Sequence, residues 1–196
     1  HTVLGLHALQ HRGQEAAGIV TFDCKQFHHH RALGLVGDIF GSEQVIGWLP
    51  GAMAIGHNRY STTGGTVLRN VQPLFAEFEF GGLAIAHNGN LTNAYGLRKS
   101  LVKRGCIFQS TMDTEVIIHL IATSLYSTVV DRMIDALKQL EGAYAIVALT
   151  QEALIGVRDP LGIRPLVLGK LGDAYILASE SCALDIIGAE FERDVE

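Results

Sequence analysis

The sequence predicts a layered α+β domain, in which two antiparallel β-sheets pack together and helices cover their outer faces. Two blocks of short apolar runs, each bounded by turn residues, indicate strands early and late in the chain. A central block of amphipathic helical patterns separates them. The composition is that of a globular protein, since 48% of the 196 residues are hydrophobic and 18% are charged. This length suits one domain with a sizeable core.

The first block begins with a helix at 3–11, where apolar residues recur at helical spacing from Val3. A turn at 23–25 joins two strands into a hairpin. We expect Trp48 to anchor the core. The remaining elements of this block are strands at 19–22, 26–33, 52–57 and 83–86 and a short helix at 42–47.

The helical block and the second strand block follow from the same signals. Gly105 is suited to end a helix that begins at Leu91, and Asp113 lies where a carboxylate stabilises the start of the next helix. The Asp-Pro-x-Gly sequence at 159–162 predicts a turn. The predicted helices are 91–104, 116–125, 129–140 and 180–187. The predicted strands are 106–109, 143–150, 153–157, 165–169, 173–178 and 191–195.

The stretch 81–93 contains a candidate catalytic group. Its apolar strand gives way to His87, Asn88 and Gly89, and the Asn-Gly pair predicts a tight turn before the next helix. Such a turn presents a side-chain amide from Asn88 and a backbone N–H from Gly89 together, which is how an oxyanion hole is built. A strand-to-helix turn without chemistry has the same pattern, so both interpretations stay open at this point.

The strand 52–57 also ends in polar residues, and these begin with Arg59. Hydroxyl side chains and two glycines follow in a loop at 60–66 that could fold over an anion. A guanidinium binds a carboxylate through two parallel hydrogen bonds, so Arg59 is a candidate clamp for a carboxylate ligand. A solvated loop with a surface ion pair is the alternative.

Charge and cysteine usage exclude several classes of protein. A net charge of −5, without a stripe of Lys and Arg, argues against a nucleic-acid surface. The sequence has neither an apolar run long enough to span a membrane nor a signal-peptide pattern, so we expect a cytoplasmic protein. Cys24, Cys106 and Cys182 lie too far apart for a C-x-x-C zinc pattern. His28 and His30 could share a strand face, but no further ligand is near them in sequence, so we expect no metal ion.

Six motifs occur in order along the chain: HRGQEAAG at 11–18, RYSTTGG at 59–65, AHNGNLTNA at 86–94, STMDTEV at 110–116, RDPLGIRPL at 158–166 and SESCALD at 179–185. Together they resemble the glutaminase domain of the amidophosphoribosyltransferase family, a class II glutamine amidotransferase. The resemblance spans essentially the whole chain. It implies the N-terminal nucleophile hydrolase fold, a four-layer αββα sandwich. It also implies a glycosyltransferase whose glutaminase domain releases ammonia from glutamine to form phosphoribosylamine in de novo purine synthesis.

The resemblance assigns roles to residues of this sequence. Asn88 and Gly89 would form the oxyanion hole, Arg59 would bind the α-carboxylate of glutamine and Asp113 would pair with its α-ammonium. These opposite charges make independent sense, because a free amino acid carries one charge of each sign and a buried unpaired charge is costly.

Four further residues take supporting positions by resemblance. Tyr60 and Thr62 would belong to a loop that closes over glutamine. Arg12 and Gly13 would lie in a shell that supports the nucleophile.

The sequence departs from the family at its first residue. The family nucleophile is a cysteine at the mature N-terminus, but His1 stands here at the predicted first helix. We therefore expect residues 1–196 to be a glutaminase domain without its nucleophile strand and without the phosphoribosyltransferase domain. Phosphoribosyl pyrophosphate, magnesium and a possible 4Fe-4S cluster would belong to that other domain, and we expect no cofactor in this chain. At full length we expect a homo-oligomer.

Two alternatives remain open on sequence grounds. One is a non-catalytic glutamine-binding or regulatory module of the same fold. The other is a cysteine hydrolase that uses Cys106 with His87 or His119, which requires the two side chains to converge in the folded chain.

Overall fold

The structure is a computed structural model that describes residues 1–60 and 67–196. The strands of this part of the chain are β1 Ala16–Phe22, β2 Phe27–Leu33, β3 Met53–Arg59, β4 Leu74–Phe78, β5 Gly81–Leu91, β6 Gly142–Leu149, β7 Leu154–Arg158, β8 Val167–Leu171, β9 Ala174–Ala178 and β10 Glu190–Asp194. The helices are α1 Thr2–Ala8, α2 Val36–Phe40, α3 Glu43–Gly47, α4 Ala94–Lys103, α5 Thr114–Thr123, α6 Val129–Leu137 and α7 Cys182–Asp185. Short 3-10 helices lie at Gln10–Arg12 and Leu68–Asn70.

The strands form three antiparallel sheets within the described residues. The first sheet has the order β2-β1-β3, the second β4-β5-β6-β7 and the third β10-β8-β9. The first sheet packs through β3 on β5 and β6. The third sheet packs beside it on β7, where Leu177 and Leu166 approach Gly156. The α+β fold class with packed antiparallel sheets is therefore confirmed, and one of the two sheet layers is divided into two three-stranded sheets.

The second sheet is apolar on both faces, and both faces are covered: one by helices and the other by the first sheet. In β5, Leu83 and Ile85 point to a core shared with α4, α5 and α6, whereas Ala84 and Ala86 face Val20 and other residues of the first sheet. Side chains alternate along a strand, so a run apolar at every position is expected where both faces are buried.

The outer face of the first sheet is covered by α1 and α2, with α3 beside α2. Leu6 of α1 approaches β3 so closely that a side chain at Gly56 would lie 2.8 Å from its Cδ1 atom. Next to α1, α7 covers the third sheet through Leu184. These contacts complete the order helix, sheet, sheet, helix that the αββα prediction requires.

Three local predictions at other places than Asn88 and Gly89 were wrong. Residues 106–109 form no strand, because this segment bends around the start of α5, where the N–H of Gln109 donates to Oε1 of Glu115 at 2.8 Å. Trp48 is 51% exposed and lies against the ring of His30 on the surface. The helix predicted from Leu91 begins at Ala94, because β5 continues to Leu91.

Within the described residues, no helix combines the length and the apolar character that crossing a bilayer requires.

Candidate active site

A cavity of about 1020 Å³ lies between two sheets of the same layer. Its walls include β3 of the first sheet, β9 of the third sheet and α1. From the second sheet, Ala86, Asn88, Ala145 and Val147 contribute to the lining. In the described part of the chain, β3 and β9 each pair with a strand on one side only. The cavity is therefore bordered by two open strand edges.

Asn88 and Gly89 lie within β5, so the prediction of a turn at this point was wrong. They pair with Ala145 and Tyr144 of β6, and this pairing continues to Leu91 and holds the chain extended. Gly89 has a φ of +151°, and a Cβ atom there would lie 2.0 Å from the carbonyl oxygen of Ala143. Only glycine fits this position.

The side chain of Asn88 points to the cavity. Its Nδ2 atom is buried and has no hydrogen-bond partner among the described residues. A buried amide without a partner is rare because it loses its hydrogen bonds with water. This donor is available for a ligand in the cavity.

His87 points to the opposite face of β5 and contacts Asp113. The two side chains approach to 3.4 Å between Nδ1 and Oδ1. Asp113 occupies the N-cap position of α5, but its side chain makes no capping hydrogen bond and instead accepts from the N–H of Leu91 at 3.1 Å. Burial raises the pKa of Asp113, but hydrogen bonds from His87 and from backbone N–H groups outweigh it and hold the pKa below its usual range. Asp113 therefore stays ionised.

Arg59 ends β3 and is only 4% exposed. Its Nη1 atom donates to the carbonyl of Asn70 at 3.1 Å and lies 2.9 Å from the sulfur of Met112, the neighbour of Asp113. In the part of the chain that the structure describes, Arg59 makes no ion pair and its Nε atom has no partner. A buried guanidinium in this state suits a carboxylate ligand.

The remaining predicted site residues differ in how close they lie to Arg59 and to the cavity. Gly13 packs on β3, where a Cβ atom would lie 2.6 Å from the backbone carbon of Arg59. Arg12 lines the cavity and forms an ion pair with Glu180. Tyr60 is 68% exposed, and Thr62 lies outside the described residues.

Three polar residues beside the site were missed by sequence reasoning: Asn70 and Gln72, which are buried, and His57, which is partly buried. Burial lowers the pKa of His57 to about 4, so its ring is neutral at neutral pH. Asn70 and Gln72 are isolated amides in the otherwise apolar stretch 70–74, and such a pattern was the only available signal.

The structure does not favour the two other chemistries considered from the sequence. Cys106 packs against the core between the second sheet and its helices, and no hydrogen bond joins it to a histidine in residues 1–60 and 67–196. His119 contacts Phe108 with ring centroids 4.3 Å apart. His28 pairs with Asp23 at 2.8 Å, and the described residues contain no group of three or more side chains placed to hold a metal ion.

Comparison with known proteins shows which family this chain resembles. Residues 57–185 match the family described as glutamine amidotransferase domain. The amidophosphoribosyltransferase of Rhizobium etli is 60% identical over 195 residues, which are 100% of this chain and 39% of the relative. The Bacillus subtilis protein of that name is 47% identical over 196 residues, 100% of this chain and 41% of the relative.

A solved structure of glutamine phosphoribosylpyrophosphate amidotransferase from Bacillus subtilis, complexed with ADP and GMP, superimposes with a TM-score of 0.93 at 46% identity. The match covers 100% of this chain and 42% of that one. The chain thus spans about two fifths of the length of these relatives. Because the family match extends over more than half of its residues, the chain belongs to the glutamine amidotransferase domain family.

Proposed function

We propose that this chain is the glutamine-hydrolysing domain of an amidophosphoribosyltransferase. In this role it releases ammonia from glutamine, and the ammonia is used to form phosphoribosylamine in de novo purine synthesis. The relatives that carry this name match the chain along its whole length. The single observation that supports the chemistry best is the amide of Asn88, a buried donor that faces the cavity and has no partner in the described residues.

Attack on the glutamine side-chain amide produces a tetrahedral intermediate with a negatively charged oxygen. A donor that is already in place and desolvated stabilises this charge without reorganisation. Nδ2 of Asn88 meets this requirement, and the glycine at 89 lets the backbone of β5 pass close to β6 beside it.

Arg59 and Asp113 supply the charges that select a free amino acid. The guanidinium of Arg59 binds the α-carboxylate through two hydrogen bonds. Asp113 stays ionised because its pKa is held low, and it pairs with the α-ammonium. Peptide-bound glutamine lacks both charges, so the site rejects it. Tyr60, next to Arg59, is a further candidate contact of the bound glutamine, and Thr62, expected in the same role, lies outside the described residues.

The cavity is suited to an additional strand that carries the nucleophile. Two open strand edges border it, and its lining residues hold three buried polar atoms without partners among the described residues: Nδ1 of His57, Oδ1 of Asn58 and Nδ2 of Asn88. An extended segment between β3 and β9 offers the N–H and C=O groups that these edges lack. Arg12 and its partner Glu180 lie beside this space, which is consistent with a supporting role.

The nucleophile of this mechanism is the N-terminal cysteine of the family. Its sulfur forms a bond to the amide carbon and the carbon–nitrogen bond breaks. The thiol proton passes through the free α-amine, whose pKa is about 8, to the leaving ammonia. Water then hydrolyses the thioester to glutamate and regenerates the thiol.

The acceptor chemistry belongs to a phosphoribosyltransferase domain outside residues 1–196. We also place phosphoribosyl pyrophosphate, magnesium and any 4Fe-4S cluster in that domain. For the full-length protein we propose a cytoplasmic homo-oligomer.

Affinity labelling of the full-length protein with an electrophilic glutamine analogue tests the proposal. Digestion and mass spectrometry then locate the adduct. We expect it on a cysteine at the mature N-terminus. An adduct on Cys106 would support the internal cysteine hydrolase, and binding of glutamine without any adduct would support the non-catalytic module.

A further inference from the structure

Two buried amides, Asn70 and Gln72, lie two residues apart in the segment 70–73. Each side chain is 2% exposed, and the segment lies between the first sheet and the second. Its main chain packs directly on β1, because a Cβ atom at Gly18 would lie 2.2 Å from the carbonyl oxygen of Gln72. Arg31 of β2 donates to the carbonyl of Val71 at 3.1 Å. The first sheet therefore holds this segment firmly.

The side chain of Gln72 takes the place of a neighbouring strand beside β5. The pairing of β4 with β5 ends at Leu74 and Ile85, and no strand borders that edge of β5 further on in the described residues. Oε1 of Gln72 accepts from the N–H of His87 at 2.8 Å, and Nε2 donates to the carbonyl of His87 at 3.1 Å. This pair of bonds reproduces the backbone pairing of a sheet.

The two bonds act on the residue next to the proposed oxyanion donor. His87 directly precedes Asn88 in β5. Holding the N–H and C=O groups of His87 in place therefore also holds the side chain of Asn88 in its orientation. Nε2 of Gln72 also lies 3.5 Å from Nε2 of His57 on β3, across the gap between the sheets. Gln72 thereby connects β5 to the opposite cavity wall.

Asn70 makes a similar pair of side-chain hydrogen bonds to the backbone and side chain of one residue, close to Arg59 and Asp113. Its Oδ1 accepts from the N–H of Thr111 at 3.2 Å, and its Nδ2 donates to the hydroxyl of Thr111 at 2.9 Å. Its backbone carbonyl accepts from Nη1 of Arg59 at 3.1 Å. One residue therefore joins the guanidinium of Arg59 to the segment that leads to Asp113.

We propose that Asn70 and Gln72 are positioning residues of the glutamine site, with separate tasks. Gln72 orients Asn88 for the transition state, and Asn70 sets the spacing of Arg59 and Asp113 for the charged groups of the substrate. This inference rests on the proposed function. The inference extends the proposed function, because it assigns an effect on kcat to Gln72 and an effect on KM for glutamine to Asn70.

Steady-state glutaminase kinetics of the full-length enzyme test the division. Gln72→Leu should lower kcat by about tenfold or more and leave KM for glutamine within about twofold, because misplacement of a donor weakens transition-state binding. Asn70→Leu should raise KM by about tenfold and change kcat by less than about threefold. Should either variant fail to fold, Gln72→Met or Asn70→Ala replaces it in the same assay.

Asn93→Leu provides a matched control. Asn93 makes a similar two-point contact at an exposed position, donating to the carbonyl of Gln139 at 2.8 Å and accepting from the N–H of Glu141 at 3.2 Å. Its loss should lower thermal stability and leave both kinetic parameters within about twofold of the wild-type values.

The outcomes separate this inference from the proposed function. Equal changes of kcat and KM in both variants, or wild-type kinetics with lowered stability only, would show that the amides are structural and overturn the inference. If the wild-type enzyme itself hydrolyses no glutamine, the proposed function fails and this inference falls with it.

Discussion

Two parts of the molecule contain buried polar groups, and these groups differ in whether they have hydrogen-bond partners. In the turn after β7, the buried carboxylate of Asp159 accepts from the N–H groups of Tyr144, Leu161, Ile163 and Arg164. Its neighbour Arg158 donates to three backbone carbonyls, and Nε of Arg164 is the one buried side-chain atom of this turn that has no partner among the described residues. At the cavity and in the adjoining end of β3, by contrast, Asn88, His57 and Arg59 bury polar atoms that have no partner in residues 1–60 and 67–196.

Sequence motifs identified both regions, so a motif alone does not separate structure from function. A buried polar group with all its bonds made stabilises the fold. A buried polar group without a partner lowers stability, and a ligand can supply the missing bond. The difference predicts that substitutions around the cavity change activity, whereas substitutions in the Asp159 turn change stability.

The largest effect is expected at Asn88. Asn88→Ala should lower kcat for glutamine hydrolysis by about a hundredfold or more, because it removes a donor to the oxyanion. Its thermal midpoint should stay close to that of the wild type, since its Nδ2 atom makes no bond within the described residues. Steady-state kinetics and a melting curve on the same preparation measure kcat and the thermal midpoint. An unchanged kcat would show that Asn88 has no catalytic role.

The opposite result is expected at Asp159. Asp159→Ala removes the acceptor of four N–H groups, one buried and three part-buried, and each group that water does not reach costs about 1 to 3 kcal/mol. The thermal midpoint followed by circular dichroism should fall by about 5 to 10 °C. Below that midpoint, KM for glutamine should match the wild-type value. A large change of KM without loss of stability would contradict the structural role.

Arg59→Lys should have a smaller effect on activity than the loss of Asn88. Lysine keeps the charge but cannot make two parallel bonds to a carboxylate, so KM for glutamine should rise by about tenfold. Binding of L-glutamate, measured by calorimetry, should weaken by a similar factor. An unchanged KM would argue against a carboxylate clamp at this position.

The smallest effect concerns pH. Burial raises the pKa of Asp159, but its four N–H partners outweigh burial and hold the pKa below the usual range. The stability it contributes is therefore complete above the unfolded-state pKa of about 4 and is lost as pH falls through the lower folded-state value. The thermal midpoint of the wild type should fall more steeply below pH 4 than that of Asp159→Asn. Asp113→Asn should likewise reduce the fall of the thermal midpoint below pH 4, because the pKa of Asp113 is lowered as well.

The sequence predicted the layers and most elements because they depend on local signals. Apolar periodicity located β1, β5 and β6, and Ser42 caps α3 as its position indicates, accepting from the N–H of Val45 at 3.2 Å. The Asn-Gly pair misled, because turn propensity at 88–89 gives way to the long pairing of β5 with β6. Propensity for a turn is local, whereas strand pairing depends on a partner more than fifty residues away.

The candidate site was predictable only in part. The charges of Arg59 and Asp113 and the amide of Asn88 could be named from the resemblance. The roles of Asn70 and Gln72 could not, because each depends on the backbone of a segment distant in sequence, at Thr111 and at His87. Nothing in the residue types indicates which main chain an isolated amide will bind. Only the packing of the segment 70–73 between the sheets reveals it.

The central claim is that Asn88 stabilises the transition state for glutamine hydrolysis and does not act in ground-state binding. Inhibition constants of the full-length wild type and of Asn88→Ala for two ligands test it directly. Glutamate γ-semialdehyde forms a tetrahedral adduct with a nucleophilic thiol and places an oxygen where the oxyanion develops, whereas L-glutamate represents the bound ground state. The account predicts that Asn88→Ala weakens binding of the aldehyde by about a hundredfold and binding of glutamate by less than about twofold. Equal weakening of both ligands, or an unchanged constant for the aldehyde, would contradict it.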